Sequence, residues 1–303
     1  MKKLLLVLAG CVGPVFCSPA AQVPALDTEK GELILTQLVS APFPHPDRAG
    51  GHRYKDQFFD AKEHYADSTV AIFIPPGFRE ADRIDFVVHF HGWHNNVTNV
   101  LNRYKLIDQL VASGRNAVLV VPQGPRNAPD SFGGKLEDPE GFSRFMEEVA
   151  GTLRARSSLK KKDFTIGNIV LSGHSGGYHV MAAILDHGGL TAHVKEVWLF
   201  DALYGQTEKF LAWLDRYHGR LLDIYTEHGG TKDETENLIA VLKGRGAPFY
   251  AGPETGATPA DLRKSEPIFL FSALEHDDVV DKHETFREFL ETSGLERVRD
   301  TAR

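Results

Sequence analysis

Between Gly167 and Ile184 the chain changes periodicity within a few residues. A short strand near Asn168 to Leu171, built on Ile169-Val170-Leu171, runs through Ser172-Gly173-His174-Ser175-Gly176-Gly177 into Tyr178-His179-Val180-Met181-Ala182-Ala183-Ile184, which reads as helix. A strand that becomes a helix over so short a link must turn sharply, and glycines on both sides of Ser175 allow a strained backbone and close neighbours. The serine is then delivered to a helix N-terminus, where free N–H groups and the helix dipole favour developing negative charge. The bland alternative is a tight glycine turn carrying an inert serine.

The rest of the chain repeats that strand-then-helix alternation, the pattern of a mainly parallel sheet flanked by helices. Strands are expected at about Leu33 to Val39, Val70 to Ile74, Ile84 to Phe90, Ala117 to Val121, Asn168 to Leu171, Glu196 to Phe200, Leu221 to Tyr225 and Ile268 to Phe271. Helical spacing covers Thr98 to Ala112, stopped by Gly114, and also Phe142 to Leu153, Tyr178 to Leu185, Thr207 to Tyr217, Glu234 to Leu242 and His283 to Leu290. The fold class is therefore α/β, with about eight strands. The irregular loops Gln123 to Gly134 and Gly246 to Ala260 are expected to wall the substrate site, and the insertion from Gly229 to Glu266 is long enough for a small lid.

The strand, the G-x-S-x-G at Gly173 to Gly177 and the following helix resemble the nucleophile elbow of the α/β-hydrolase superfamily. A second segment, Asp85-Phe86-Val87-Val88-His89-Phe90-His91-Gly92-Trp93, ends in a His-Gly similar to the oxyanion loop of esterases and lipases of that superfamily. The resemblance implies an α/β-hydrolase fold over residues 21–303 and a serine hydrolase acting through an acyl-enzyme on Ser175. The oxyanion would be held by the N–H groups of Trp93 and Gly176, each such donor being worth ~3–4 kcal/mol. Only one glycine follows His91, so the loop departs from the three-glycine version, which bears on Trp93 more than on Gly176.

A serine hydroxyl needs a histidine to take its proton and a carboxylate to orient that histidine. In the superfamily the order is serine, acid, then histidine after the last strand. His276 lies in the loop Ser272 to Asp281, which follows Pro267-Ile268-Phe269-Leu270-Phe271, and is the expected base. His283, at the next helix start, reads as a surface residue, and Asp277 and Asp278 as solvated loop carboxylates. Two acids end strands between Ser175 and His276. Asp201 is preferred because a carboxylate closing the apolar Val197-Trp198-Leu199-Phe200 is costly to bury without a partner, and Glu227, after Ile224-Tyr225-Thr226, is the alternative.

His89, His91 and His94 also offer H-x-H spacing that could suit a metal, but no carboxylate follows in the manner of metal-dependent hydrolases, so no metal ligand and no cofactor is expected. The alternatives to ester hydrolysis are an amidase or peptidase with the same triad, or an inactive binding protein on the same fold. With 303 residues, 25% of them charged, and a net charge of −7, nucleic acid is not an expected partner; Lys160-Lys161-Lys162 is a solvated turn. The expected partner is a small-molecule or polymeric ester. Asn96-Val97-Thr98 matches a glycosylation acceptor but abuts the oxyanion loop and is read as accidental.

Residues 1–20 read as a signal peptide: Lys2 and Lys3, the apolar Leu4 to Ala9, then small residues at Ser18-Pro19-Ala20. Leu8-Ala9-Gly10-Cys11 offers a rival route, a lipobox that would anchor the protein through Cys11. Either way the expectation is an exported protein, periplasmic or extracellular, with no membrane span. Cys11 and Cys17 are the only cysteines, so cleavage after Ala20 would leave no thiol for catalysis, metal binding or a disulfide.

Overall fold

A computed structural model describes residues 26–28 and 30–298, and the proposed leader with Cys11 and Cys17 lies outside the described residues. The strands are β1 (Leu26–Thr28), β2 (Gly31–Gln37), β3 (His52–Tyr54), β4 (Gln57–Phe59), β5 (Thr69–Ile74), β6 (Arg83–Phe90), β7 (Val118–Pro122), β8 (Thr165–His174), β9 (Val194–Phe200), β10 (Arg220–Thr226), β11 (Tyr250–Pro253) and β12 (Ile268–Ser272). Ten of them form one sheet in the order β1-β2-β5-β7-β6-β8-β9-β10-β12-β11, and β3 and β4 pair separately. From β7 to β11 the sheet is parallel, while β1, β2 and β5 add an antiparallel edge. All eight expected strands are present.

Alternation along the central strands divides the core into two layers. Phe86, Val88, Leu171, Val197 and Leu199 pack with Phe145, Val149, Ile184, Phe210 and Leu238 from the helices Gly141–Arg156, Tyr178–His187, Thr207–Tyr217 and Lys232–Gly244. On the other face Val87, Val170, Trp198 and Leu222 meet Val100, Leu110, Phe286 and Phe289 from Val97–Arg103, Leu106–Ser113 and Thr285–Thr292. Both faces are covered, which is why the parallel strands read as nearly continuous apolar runs. The chain leaves β6 for β7 on one side and returns to β8 on the other, so a crevice opens beyond the carboxyl ends of β6 and β8, the usual ligand position in open α/β sheets.

Two local expectations change. The helix expected from Thr98 to Ala112 is two helices, broken at Tyr104 and Lys105, where Lys105 takes a left-handed φ of 48°. The insertion from Gly229 to Glu266 is not a lid over the crevice: it supplies the helix Lys232–Gly244 and the edge strand β11. In its Gly246 to Ala260 part, Glu254 turns inward to Ser272, His283 and Thr285, at the ends of the loop that bears His276. Among the described residues no helix is long and apolar enough to cross a membrane.

Candidate active site

Ser175 begins a single helical turn between β8 and the helix Tyr178–His187, with a left-handed φ of 53°. The corner is tight on every side. A β-carbon at Gly173 would come within 2.4 Å of the Met181 sulfur, and one at Gly177 within 2.7 Å of the Phe90 carbonyl oxygen. One at Gly92 would lie 2.5 Å from the Ser175 β-carbon, so the loop after β6 rests directly against the serine. The Trp93 indole lies over Gly176 and is pinned there by its N–H donating to Ser131 Oγ at 2.8 Å and by the Tyr54 ring edge-on at 5.0 Å. Ser131 comes from the expected Gln123 to Gly134 wall, which borders Gly176, the residue after the serine.

Asp201 follows β9, is fully buried, and also has a left-handed φ, 45°. Its Oδ2 accepts from Thr226 Oγ1 at 2.6 Å and from His276 Nδ1 at 2.7 Å, and its Oδ1 accepts from the Thr226 N–H at 3.3 Å and from the Thr231 hydroxyl. Burial alone would push this carboxyl up, but the hydrogen bonds from His276, Thr226 and Thr231 outweigh it and hold Asp201 below the ordinary aspartate value. In the neutral imidazole, giving Nδ1–H to Asp201 makes Nε2 of His276 the acceptor nitrogen. Glu227 is elsewhere: it is exposed and paired with Lys232 Nζ at 2.8 Å.

His276 opens a short turn after β12, and its ring lies 4.6 Å, centre to centre, from that of His174, the residue before the serine. Tyr204 closes the other side, its ring 6.3 Å from that of His276 and its hydroxyl donating to the Gly229 carbonyl at 2.5 Å while lying in polar contact with Ser175. Burial and the Asp201 charge push the Tyr204 phenol up to about 12, so it stays neutral. No hydrogen bond joins Ser175 to His276 among the described residues.

From the segment after β10 the sequence offers a carboxylate, Glu227, which stays outside the site. What the segment contributes is Thr226 and Thr231, the hydroxyls that satisfy Asp201, and the signal for them is a polar Thr-rich run flanking Gly229-Gly230. His174 and Tyr104 were also missed. His283 is half exposed and bonded to Glu254 at 3.1 Å, Asp277 lies 3.7 Å from Arg103, and Asp278 lies 2.7 Å from Lys282. Asn96 caps its helix by accepting from the Asn99 N–H at 3.0 Å.

His89, His91 and His94 do not assemble as a metal site. His89 Nδ1 faces Ser172 Oγ at 2.9 Å, His91 is held by Gly92 and Gly124, and His94 is exposed. Among the described residues two other groups bring ligand atoms within 4.8 Å of one another: His174, His276 and Asp277, and Asp60, Glu63 and His64. In the first, both ring nitrogens of His174 are already engaged, with Tyr104 and with the His276 carbonyl.

No protein-family model and no curated protein sequence matches the chain. Solved structures do. A ferulic acid esterase aligns at 12% identity over 74% of this chain and 91% of its own, with a TM-score of 0.51. A serine-to-alanine variant of the feruloyl esterase module from Clostridium thermocellum, complexed with sinapinate, aligns at 11% identity over 90% and 94%, with a TM-score of 0.53. A protein designated FAE aligns at 13% identity over 92% and 97%, also at 0.53. With the strand order around the crevice and the serine corner between β8 and its helix, these likenesses show that the chain has the α/β-hydrolase fold.

Proposed function

We propose that this chain is an exported serine hydrolase that cleaves a carboxylic ester through an acyl-enzyme on Ser175. The observation that carries the reading is the 2.7 Å bond from His276 Nδ1–H to the buried Asp201 carboxylate, made on the loop that borders the serine corner. It leaves Nε2 of His276 as a base and supplies a fixed negative charge for the imidazolium that forms when it accepts a proton. Ser175 Oγ attacks the ester carbonyl as its proton passes to His276 Nε2, the Trp93 and Gly176 N–H groups take the oxyanion, and the alcohol leaves with the proton from His276. Water then enters by the same route and releases the acid. Hydrogen bonds to a nucleophilic serine are commonly long or misaligned before substrate binds, so the open Ser175–His276 pair is compatible with this course.

The left-handed φ of Ser175, 53°, supports the assignment, because a nucleophile carried on a sharp strand-to-helix turn takes such a backbone angle. The similarity to feruloyl esterases makes esters of ferulic and sinapic acid the first substrates to try. Export, by cleavage after Ala20 or by lipid anchoring at Cys11, rests on the leader alone. An amidase or peptidase would use the same groups, and a binding protein on this fold would lack turnover. Incubating the purified protein with a fluorophosphonate and mapping the adduct, alongside a panel of esters, amides and thioesters, separates these. Labelling at Ser175 with turnover of esters is expected; a protein that stays unlabelled and hydrolyses nothing would overturn the proposal.

A further inference from the structure

His174 has no assigned role, yet it is fully buried, adjoins the serine, and uses both ring nitrogens. Nδ1 faces the Tyr104 hydroxyl at 3.1 Å and Nε2 faces the backbone carbonyl of His276 at 3.0 Å. A carbonyl can only accept, so Nε2 carries the proton, and Nδ1 then accepts from Tyr104. The imidazole is neutral in this arrangement, and burial with the neighbouring His276 pushes it down to about 4. Its ring also lies against the His276 ring.

Tyr104 is itself fixed. It is fully buried at the break between the helices Val97–Arg103 and Leu106–Ser113, where the left-handed Lys105 turns the chain. Gln109 reaches back from the second helix, donating to the Tyr104 carbonyl at 2.7 Å and to the Val280 carbonyl at 3.2 Å, and accepting from the Arg287 N–H at 2.8 Å. Glu254 holds Ser272 Oγ at 2.5 Å and Thr285 Oγ1 at 3.2 Å, at the two ends of the same loop. The loop bearing His276 is thus tied at its ends, at Val280 and at Asp277, whose carbonyl accepts from Arg103 at 3.3 Å, and the backbone tie at His276 itself comes from His174.

We propose that His174, oriented by Tyr104, is a positioning residue that fixes the backbone of His276 so that its imidazole meets Asp201 beside the serine corner. This rests on the hydrolase reading above. The nucleophile and the tether to its base are adjacent on one strand end, so the distance between them is set by a single peptide unit rather than by the long chain separating residues 175 and 276.

The test compares His174→Gln, whose amide can donate from the place of Nε2, with His174→Leu, which fills the space without a donor. Concentrations are normalised to folded protein by thermal melting, and kcat, KM, the rate of fluorophosphonate labelling and the downfield proton signal of His276 Nδ1–H are measured. His174→Leu is expected to lose about 10²-fold in kcat and labelling rate, as for an ~1 Å misplacement of a reacting group, with KM within about twofold and the downfield signal lost. His174→Gln is expected to stay within about threefold and keep the signal, since the donor is preserved. Wild-type kcat in His174→Leu, or an equal loss in both variants, would overturn the positioning role. If the wild type neither labels nor turns over, the hydrolase reading fails first, and the proton signal still reports whether the tether holds.

Discussion

Gly229 passes so close to the Asp201 carboxylate that a β-carbon on it would lie 1.7 Å from Oδ2 and 2.6 Å from Thr226 Oγ1. The absence of a side chain there is what lets two threonines and one histidine converge on a single buried carboxyl. Gly229→Ala must therefore push Asp201 away from His276. We expect a loss of about 10²-fold in kcat, the usual consequence of an ångström-scale shift of a catalytic group. Overpacking should also cost about 1–3 kcal/mol of stability. Kinetics and a denaturant melt on the same sample check both, and unaltered kcat would show that the carboxylate does not act through its position.

The two acids considered in the sequence occupy opposite environments, and substitution should separate them cleanly. Asp201→Asn keeps the shape but replaces an acceptor with an amide whose NH₂ confronts donors from His276, Thr226 and Thr231. A fall of ~10⁴-fold in kcat is expected, because the imidazole loses both its tautomer and its counter-charge. Glu227→Gln removes only an exposed pair with Lys232 and should leave kcat within about twofold, since such surface pairs contribute little. Equal losses in the two variants would mean that Asp201 is not the orienting acid.

Much of the fold was legible because parallel strands buried on both faces leave a strong apolar trace. Glu196 to Phe200 and Ile268 to Phe271 are read almost to the residue, as is the helix Thr207–Tyr217. The break at Tyr104 was not legible, because Val100, Leu101, Ile107 and Leu110 keep helical spacing on both sides of a left-handed lysine that no glycine or proline announces. β11 was missed for the opposite reason. Tyr250-Ala251-Gly252-Pro253 looks like a loop, and its proline is tolerated because β11 is an edge strand. At the site, Ser175, Asp201 and His276 carried signals in residue type and place along the chain. His174 and the two threonines serve those three through side-chain hydrogen bonds, and one-dimensional spacing does not encode them.

Asp223 should make the protein less stable as pH rises. It is fully buried on β10, Thr235 Oγ1 donates to its Oδ2 at 2.7 Å, and its Oδ1 has no partner among the described residues. Burial, reinforced by the nearby Asp201 charge and opposed by Thr235, pushes the carboxyl up to about 7 from an ordinary 3.8. Below the ordinary value both states are protonated and the full contribution is present. From there up to about 7 the unfolded chain releases the proton while the folded one keeps it, so stability declines and then levels off. The melting temperature of Asp223→Asn minus that of the wild type should therefore grow across this window and flatten above it. A difference independent of pH would contradict the assignment.

His89 should act in the opposite sense, at the acid end. Its imidazole is fully buried beside Tyr104 and Phe286, with Nδ1 on Ser172 and Nε2 without a partner among the described residues. Burial, followed by the proximity of His174 and His91, pushes it down to about 3 from an ordinary 6.5. As pH falls through the ordinary value the unfolded chain takes up a proton that the folded state refuses, so the contribution present above that pH drains away until the folded value is reached. His89→Leu removes the titration and the unpaired nitrogen together. Its melting temperature should fall less steeply than the wild type's between pH 7 and 4, and the two curves should run parallel above pH 7. Curves parallel at every pH would show that His89 carries a proton in the fold.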